Sequence, residues 1–310
     1  MTTLARCLVA TILATLLFVC ATALLRHGLY GWTLFFLIPI LLGGLSTLAF
    51  RPATAAAAAG KGAATVTVSS FLLLLFRLDG IVCIGMALPL VVPLGALGGW
   101  LFYLAKSPRT VARSSMMFLL LTPATLTWDV TAQPRMYEVR TEITIAASPE
   151  QVWKHVIASS TLPEPREWLF RAGVGYPQRA HIEGSGPSAT RYCDFSTGAL
   201  VEPVEIWDEP RLLRFRVTNN PVPLHEWTPY GEIETKHLHG YLISKQGEFL
   251  LTRLADGNTL LRATTWYQHG LWPAEYWRWW SDAIIHRIHL RVLNNIRART
   301  ERVGSVHGED

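Results

Sequence analysis

Asp282, His286 and His289 stand four and three residues apart within Pro273 to Arg302, a stretch with no internal glycine or proline. On a helix those spacings bring the three side chains together. An imidazole beside a carboxylate moves protons near neutral pH, so the trio is a candidate for general acid/base work. The same side chains would serve as metal ligands if His237 or His239 joined them. A third reading, a solvated helix flank with an ordinary Asp–His contact, is the better supported one. The chain has no Cys-x-x-Cys and no His-Glu-x-x-His, so neither a metal nor a cofactor is expected.

Glu202 offers a second possibility. It shares a strand face with Leu200, Val204 and Ile206. A carboxylate on an apolar face is costly unless paired or wet, so Glu202 is a candidate cavity-lining acid with a raised pKa. Pro203 gives the alternative, which the sequence slightly favours: the strand breaks there and Glu202 turns outward. Arg171 and Arg191 are candidate partners for Glu202 or for an acidic head group on a ligand, although for each a place on the surface is the better expectation. Catalytic candidates are therefore His286, His289, Asp282 and Glu202.

Aromatic residues crowd the region before and at the start of the last helix: Trp266, Tyr267, Trp272, Tyr276, Trp277, Trp279 and Trp280. Indoles settle where an apolar region meets water. The crowd is thus either the mouth of a cavity leaning on a bilayer or a bulky aromatic core. Candidate ligand-binding residues are Trp266, Tyr267, Trp277, Trp280, Ile284, Ile285, Ile288, Arg171 and Arg191.

The elements that must position these residues fall into two halves. Half of the 310 residues are hydrophobic and 16% are charged. Before Arg135 there are eight bases and two acids, and after that point twenty bases and twenty-one acids, so the basic character belongs to the apolar half. That distribution fits membrane flanks and excludes nucleic acid as a partner. Leu4 to Leu25, Leu29 to Phe50 and Ile81 to Ala105 each reach the ~20 apolar residues a membrane span needs, and Ala63 to Phe76 and Ser114 to Val130 are weaker spans. The first is expected to be an uncleaved helix rather than a signal peptide, because further spans follow it. The basic clusters at Arg6, at Arg51 and Lys61, and at Lys106, Arg109 and Arg113 are expected on the cytoplasmic side. The side of the C-terminal domain then depends on whether 114–130 crosses. Ala53 to Gly60 reads as a flexible connection.

From Arg135 the period becomes two, with Tyr137, Val139, Thr141, Ile143 and Ile145 alternating with polar residues, as in a strand with one wet face. Ser148-Pro149-Glu150-Gln151 is a capping box that opens a short helix. Strand-like runs follow at 189–196, 200–207, 212–218, 241–244, 249–254 and 260–267, with Asp256-Gly257 as a tight turn. On the long C-terminal helix Trp277, Ser281, Ile284, Ile285, Ile288, Val292 and Ile296 share one face. An antiparallel sheet wrapped around that helix is the economical α+β arrangement. The expected domains are an all-α transmembrane region at 1–132, a ligand-binding domain at 135–303 and a disordered tail at 304–310. Cys193 is the one cysteine of the second half, so no disulfide forms within it.

This order resembles the helix-grip fold of the START-like superfamily, which includes polyketide cyclase/dehydrase and lipid-transport proteins (SRPBCC). The likeness is carried by Ser148-Pro149-Glu150-Gln151-Val152-Trp153, by Ile206-Trp207-Asp208-Glu209-Pro210-Arg211-Leu212-Leu213-Arg214-Phe215, and by the hairpin from Phe249-Leu250-Leu251-Thr252-Arg253-Leu254 through Gly257 to Thr264. It covers about Met136 to Arg302. The resemblance implies a cavity between sheet and long helix that holds an apolar ligand. The apolar half and the insertion from Asn219 to Gly240 depart from simple members of the superfamily. Expected partners are a hydrophobic small molecule or lipid and the bilayer. The leading functional expectation is membrane-anchored binding or transport of such a lipid-like or polycyclic molecule. The alternatives are an enzyme cyclising, dehydrating or hydrolysing it without a redox cofactor, and a membrane sensor or interaction module. No nucleotide loop or nucleophile elbow is present.

Overall fold

A computed structural model of the chain describes residues 3–105 and 121–306. It divides into two compact units. Met1–Gln133, Glu226–His239 and Gly270–Trp277 form one, and Pro134–His225, Gly240–His269 and Arg278–Asp310 form the other. The insertion anticipated from the sequence is thus divided, with its hairpin and the stretch after it placed in the first unit.

The first unit is helical: α1 (Thr3–His27), a π-helical turn at Thr33–Leu37 running into α2 (Ile38–Phe50), α3 (Ala55–Leu75), α4 (Ile81–Leu104) and residues 121–131 (α5). Among the described residues four helices are long and apolar enough to cross a membrane: Leu4–His27, Thr33–Phe50, Ala55–Leu75 and Ile81–Leu104. Of the weaker stretch at 114–130, residues 114–120 lie outside the described residues, as do Lys106, Arg109 and Arg113. The alanine run at 53–60 is not a flexible connection. Alanine is the strongest helix former, and Thr54 caps the run by accepting from the Ala57 amide at 3.1 Å, so α3 begins at Ala55. The helices approach backbone to backbone through glycine. A Cβ on Gly43 of α2 would land on the Gly95 carbonyl of α4, as would one on Gly62 of α3, and one on Gly98 would land on the Ile40 carbonyl. Small residues at such crossings let two helix backbones approach closely. Strands β7 (Glu226–Thr228) and β8 (Gly231–Ile233) pair as a separate hairpin in this unit.

The second unit contains β1 (Arg135–Ile145), α6 (Pro149–Ile157), β2 (Ser160–Thr161), α7 (Trp168–Arg171), β3 (Pro177–Glu183), β4 (Thr190–Phe195), β5 (Gly198–Asp208), β6 (Leu212–Arg216), β9 (Leu242–Arg253) and β10 (Thr259–His269). The last helix, α8, spans Ala274–Val306. The eight strands form one sheet in the order β1-β10-β9-β6-β5-β4-β3-β2, every pairing antiparallel. Ser148 and Gln151 make the anticipated capping box at α6. Gly257 takes φ 83° in the β9–β10 turn, where a side chain would be strained. One apolar core joins Ile145, Trp153, Leu213, Phe249 and Leu261 of α6 and the sheet to Leu293 and Ile296 of α8. This is a helix-grip arrangement, a curled antiparallel sheet held against a long C-terminal helix.

Two further expectations change. The runs at 241–244 and 249–254 are one strand, because Gly247 continues the ladder opposite Thr265 and Phe215, with the Phe215 ring occupying the space a Cβ would take. Residues 304–306, expected in a tail, are the last residues of α8, and residues 307–310 lie outside the described residues.

Candidate functional site

Alternation along the strands aims Arg191 and Cys193 of β4, Leu200 and Glu202 of β5, Phe215 of β6 and Phe249 of β9 at α8. Facing them, Ile284, Ile285, Ile288, His289 and Val292 share one stripe of α8. Between the two surfaces lies a cavity of about 140 Å³ lined by these side chains. A cavity of ~150 Å³ in an engineered protein stays dry and binds benzene, so this space accepts a single-ring body.

One ion pair is set into this wall. Arg191 and Glu202 are opposite partners in the β4–β5 register, and the Arg191 guanidinium donates to the Glu202 carboxylate. Both are buried, at 5% and 4% exposure. The guanidinium also lies 5.0 Å from the Phe215 ring centre and 5.5 Å from that of Phe249. Burial pushes the Glu202 carboxyl above its usual range, and Arg191 offsets part of that rise. Burial likewise pushes the Cys193 thiol up to about 12, which keeps it protonated and a poor nucleophile. Two expectations are corrected here. Arg191 is not on the surface, and Glu202 does not turn outward. Pro203 does not break β5, because it stands opposite Thr190, the first residue of β4, and the next amide, Val204, donates to the Ala189 carbonyl at 2.9 Å. The missing proline N–H falls where the ladder ends.

The polar stripe of α8 forms, but its members are tied to the sheet. His289 is buried, with Nε2 at 2.8 Å from Thr265 Oγ1 and Nδ1 at 3.1 Å from Thr141 Oγ1. Burial first, and the neighbouring His286 second, push its pKa down to about 4, so it is a neutral ring at physiological pH. His286 is exposed and places Nδ1 at 2.8 Å from the same Thr141 hydroxyl. Asp282 accepts from the Tyr267 hydroxyl and, at 3.2 Å, from Arg278 Nε. Burial, with Asp282 alongside, raises the Tyr267 phenol. Of the four catalytic candidates Glu202 and His289 line the cavity, and Asp282 and His286 do not.

Of the ligand-binding candidates Arg191, Ile284, Ile285 and Ile288 line it. Arg171 is exposed at the end of α7. Trp266 is half-buried, donating to Glu138 at 3.0 Å, and Tyr267 is buried against Tyr137 and His269. Trp280 packs edge-on against Trp279, which is 63% exposed. Trp277 belongs to the first unit, 5.0 Å from Phe35, and lines a different cavity there. His239 pairs with Glu234 at 2.8 Å, and His237 lies in the first unit, so neither joins the α8 stripe in a common unit. Leu200 lines the cavity on the face it was expected to share with Glu202, whereas reasoning from sequence missed Cys193, Phe215 and Phe249 as wall residues, although strand alternation carried the signal for all three.

No family model matches the chain, and no curated protein matches it in sequence. Among solved structures it is similar to a norcoclaurine synthase point mutant of Thalictrum flavum in complex with a transition-state analogue, at 11% identity over 56% of this chain and 99% of that one, with a TM-score of 0.35. It is also similar to a protein of Nitrosospira multiformis, at 13% identity over 53% of this chain and 96% of that one, TM-score 0.32. The protein XoxI of Bacillus cereus matches at 16% identity over 54% of this chain and 97% of that one, TM-score 0.33. None reaches a TM-score of 0.5, and the fold assignment rests on the strand order and long helix described above.

Proposed function

We propose that the second unit binds a small apolar molecule, about one ring in size with a polar group at one end, on a chain anchored in a membrane by α1–α4. The observation that carries this reading is the cavity between sheet and α8, apolar on most of its wall and holding the buried Arg191–Glu202 pair. Burial of apolar ligand surface against Phe215, Phe249, Ile284 and Ile288 supplies ~25 cal/mol per Å². The ion pair supplies orientation, since a few fixed polar groups in an apolar pocket select a ligand's pose. The four apolar helices support the anchor by length and composition.

Binding is favoured over turnover by the histidines. His289 has both ring nitrogens beside threonine hydroxyls, and His286 lies outside the cavity lining, so neither is poised to exchange a proton with a bound molecule. The test is mass spectrometry of small molecules extracted from the full chain purified in detergent, beside an Ile288→Trp variant that fills the cavity. A defined apolar compound recovered from the wild type and lost from the variant is the expected result. Equal recovery from both, or no reproducible compound from either, overturns the reading.

A further inference from the structure

Within the first unit, four side chains of differing chemistry converge at the start of α4. Asp79 precedes the helix, Cys83 sits in its first turn, Glu226 opens β7, and His237 lies in the short turn at Lys236–Leu238. One donor atom from each lies within 4.8 Å of the other three. The Cys83 sulfur is 2.7 Å from His237 Nε2, Glu226 Oε1 is 3.9 Å from the same nitrogen, and Asp79 Oδ1 is 3.9 Å from Nδ1. Asp79, Glu226 and His237 are buried.

We propose that Asp79, Cys83, Glu226 and His237 hold a zinc ion. Zinc bonds of about 2.0–2.3 Å place tetrahedral donors roughly 3.3–3.6 Å apart, so side-chain movements of about an ångström, opening the Cys83–His237 contact and drawing in the two carboxylates, fit the set around an ion. Thiolate and imidazole together select zinc among the common divalent ions, where oxygen donors alone would favour magnesium or calcium. Charge argues the same way. Among the described residues neither Asp79 nor Glu226 is paired with lysine or arginine, and two buried carboxylates beside a thiol call for a cation. Thr235 Oγ1 lies 3.1 Å from the imidazole Nδ1 and 3.4 Å from Nε2, a polar neighbour of the kind that orients metal-bound histidines, while Cys83 Sγ and Glu226 Oε1 stand on the Nε2 side. Glu226 accepts from the Val82 amide at 3.2 Å and the Cys83 amide at 2.8 Å, and each carboxylate oxygen keeps a lone pair for the metal. With four protein donors the ion is structural, fastening residues 226–239 to the turn between α3 and α4. The sequence expectation of no metal rested on short motifs. This set is drawn from positions 79, 83, 226 and 237, a spacing that no motif describes.

The experiment uses the full chain purified in detergent. Its zinc content is measured, and the protein is then stripped with a chelator and reloaded with Co(II). About one zinc per chain is expected, and the cobalt form should show thiolate-to-metal charge transfer in the near ultraviolet. Cys83→Ser should abolish that band and His237→Ala should weaken Co(II) binding more than tenfold, while Cys20→Ser, at an exposed cysteine, leaves both unchanged. Substoichiometric zinc with no band in the wild type overturns the proposal, whatever the variants do. So does metal bound without the band, or a band that survives in Cys83→Ser.

Discussion

Arg191 and Glu202 face each other across β4 and β5 with the guanidinium between Glu202 and the rings of Phe215 and Phe249. Removing one partner leaves the other charge buried and alone, a loss of about 3–5 kcal/mol. Glu202→Gln and Arg191→Met should each lower the melting temperature of the detergent-purified chain markedly. The double variant Arg191→Met with Glu202→Leu should recover most of it. A double variant as unstable as the sum of the singles would reject the pairing.

Acid should weaken the second unit through His289. The unfolded chain takes up this proton near pH 6.5 and the folded protein only near 4, because burial disfavours the charged ring. Between those values the unfolded state binds more protons, so stability falls as pH falls, by an amount on the order of 3 kcal/mol when pH 4 is reached. Urea unfolding at a series of pH values should show a shallower decline in His289→Gln than in the wild type over that window. Identical slopes would assign the acid sensitivity elsewhere.

Helix packing in the first unit depends on Gly95. A side chain there meets Val66 and the Gly62 carbonyl, and the partner glycines Gly43 and Gly62 leave no room on their side. Gly95→Leu should therefore prevent recovery of a monodisperse protein in detergent, whereas Gly60→Ala, where a Cβ meets nothing within 4 Å, should not. Equal behaviour of the two would rule out the close crossing.

Gly247 makes a local test of the sheet. Gly247→Ala pushes a methyl group into the Phe215 ring, which should cost about 1–3 kcal/mol. Shortening the ring with Phe215→Leu in the same chain should relieve most of that strain, measured as a coupling energy in a double-mutant cycle. Additive effects would mean that the two residues do not touch.

What the sequence disclosed follows from which interactions are local. The capping box at Ser148, the turn at Gly257 and the buried stripe of α8 are set by residues within a few positions of one another, and each reads correctly. Strand β3 escaped because Pro177-Gln178-Arg179-Ala180-His181-Ile182-Glu183 has little hydrophobic alternation, its pairing with β4 being what makes it a strand. The alanine helix and the continuity of β9 were lost because alanine-rich and glycine-containing stretches were read as breaks. At the candidate site, Ile284, Ile285 and Ile288 were legible from helical period. The Arg191–Glu202 contact needs the register of two strands, and the Asp79–His237 cluster needs residues about 150 positions apart, so neither has a local signature.

Glu226 accepts from the Val82 and Cys83 amides at the start of α4, from a point 143 residues further along the chain than Cys83. During synthesis α4 is made long before the carboxylate that completes it. Until residue 226 has left the ribosome those two N–H groups must be served by other acceptors, so the first turn of α4 stays provisional while the strands before β7 are made. The last touch on this apolar helix is then applied from outside the apolar run by a part of the chain that arrives later.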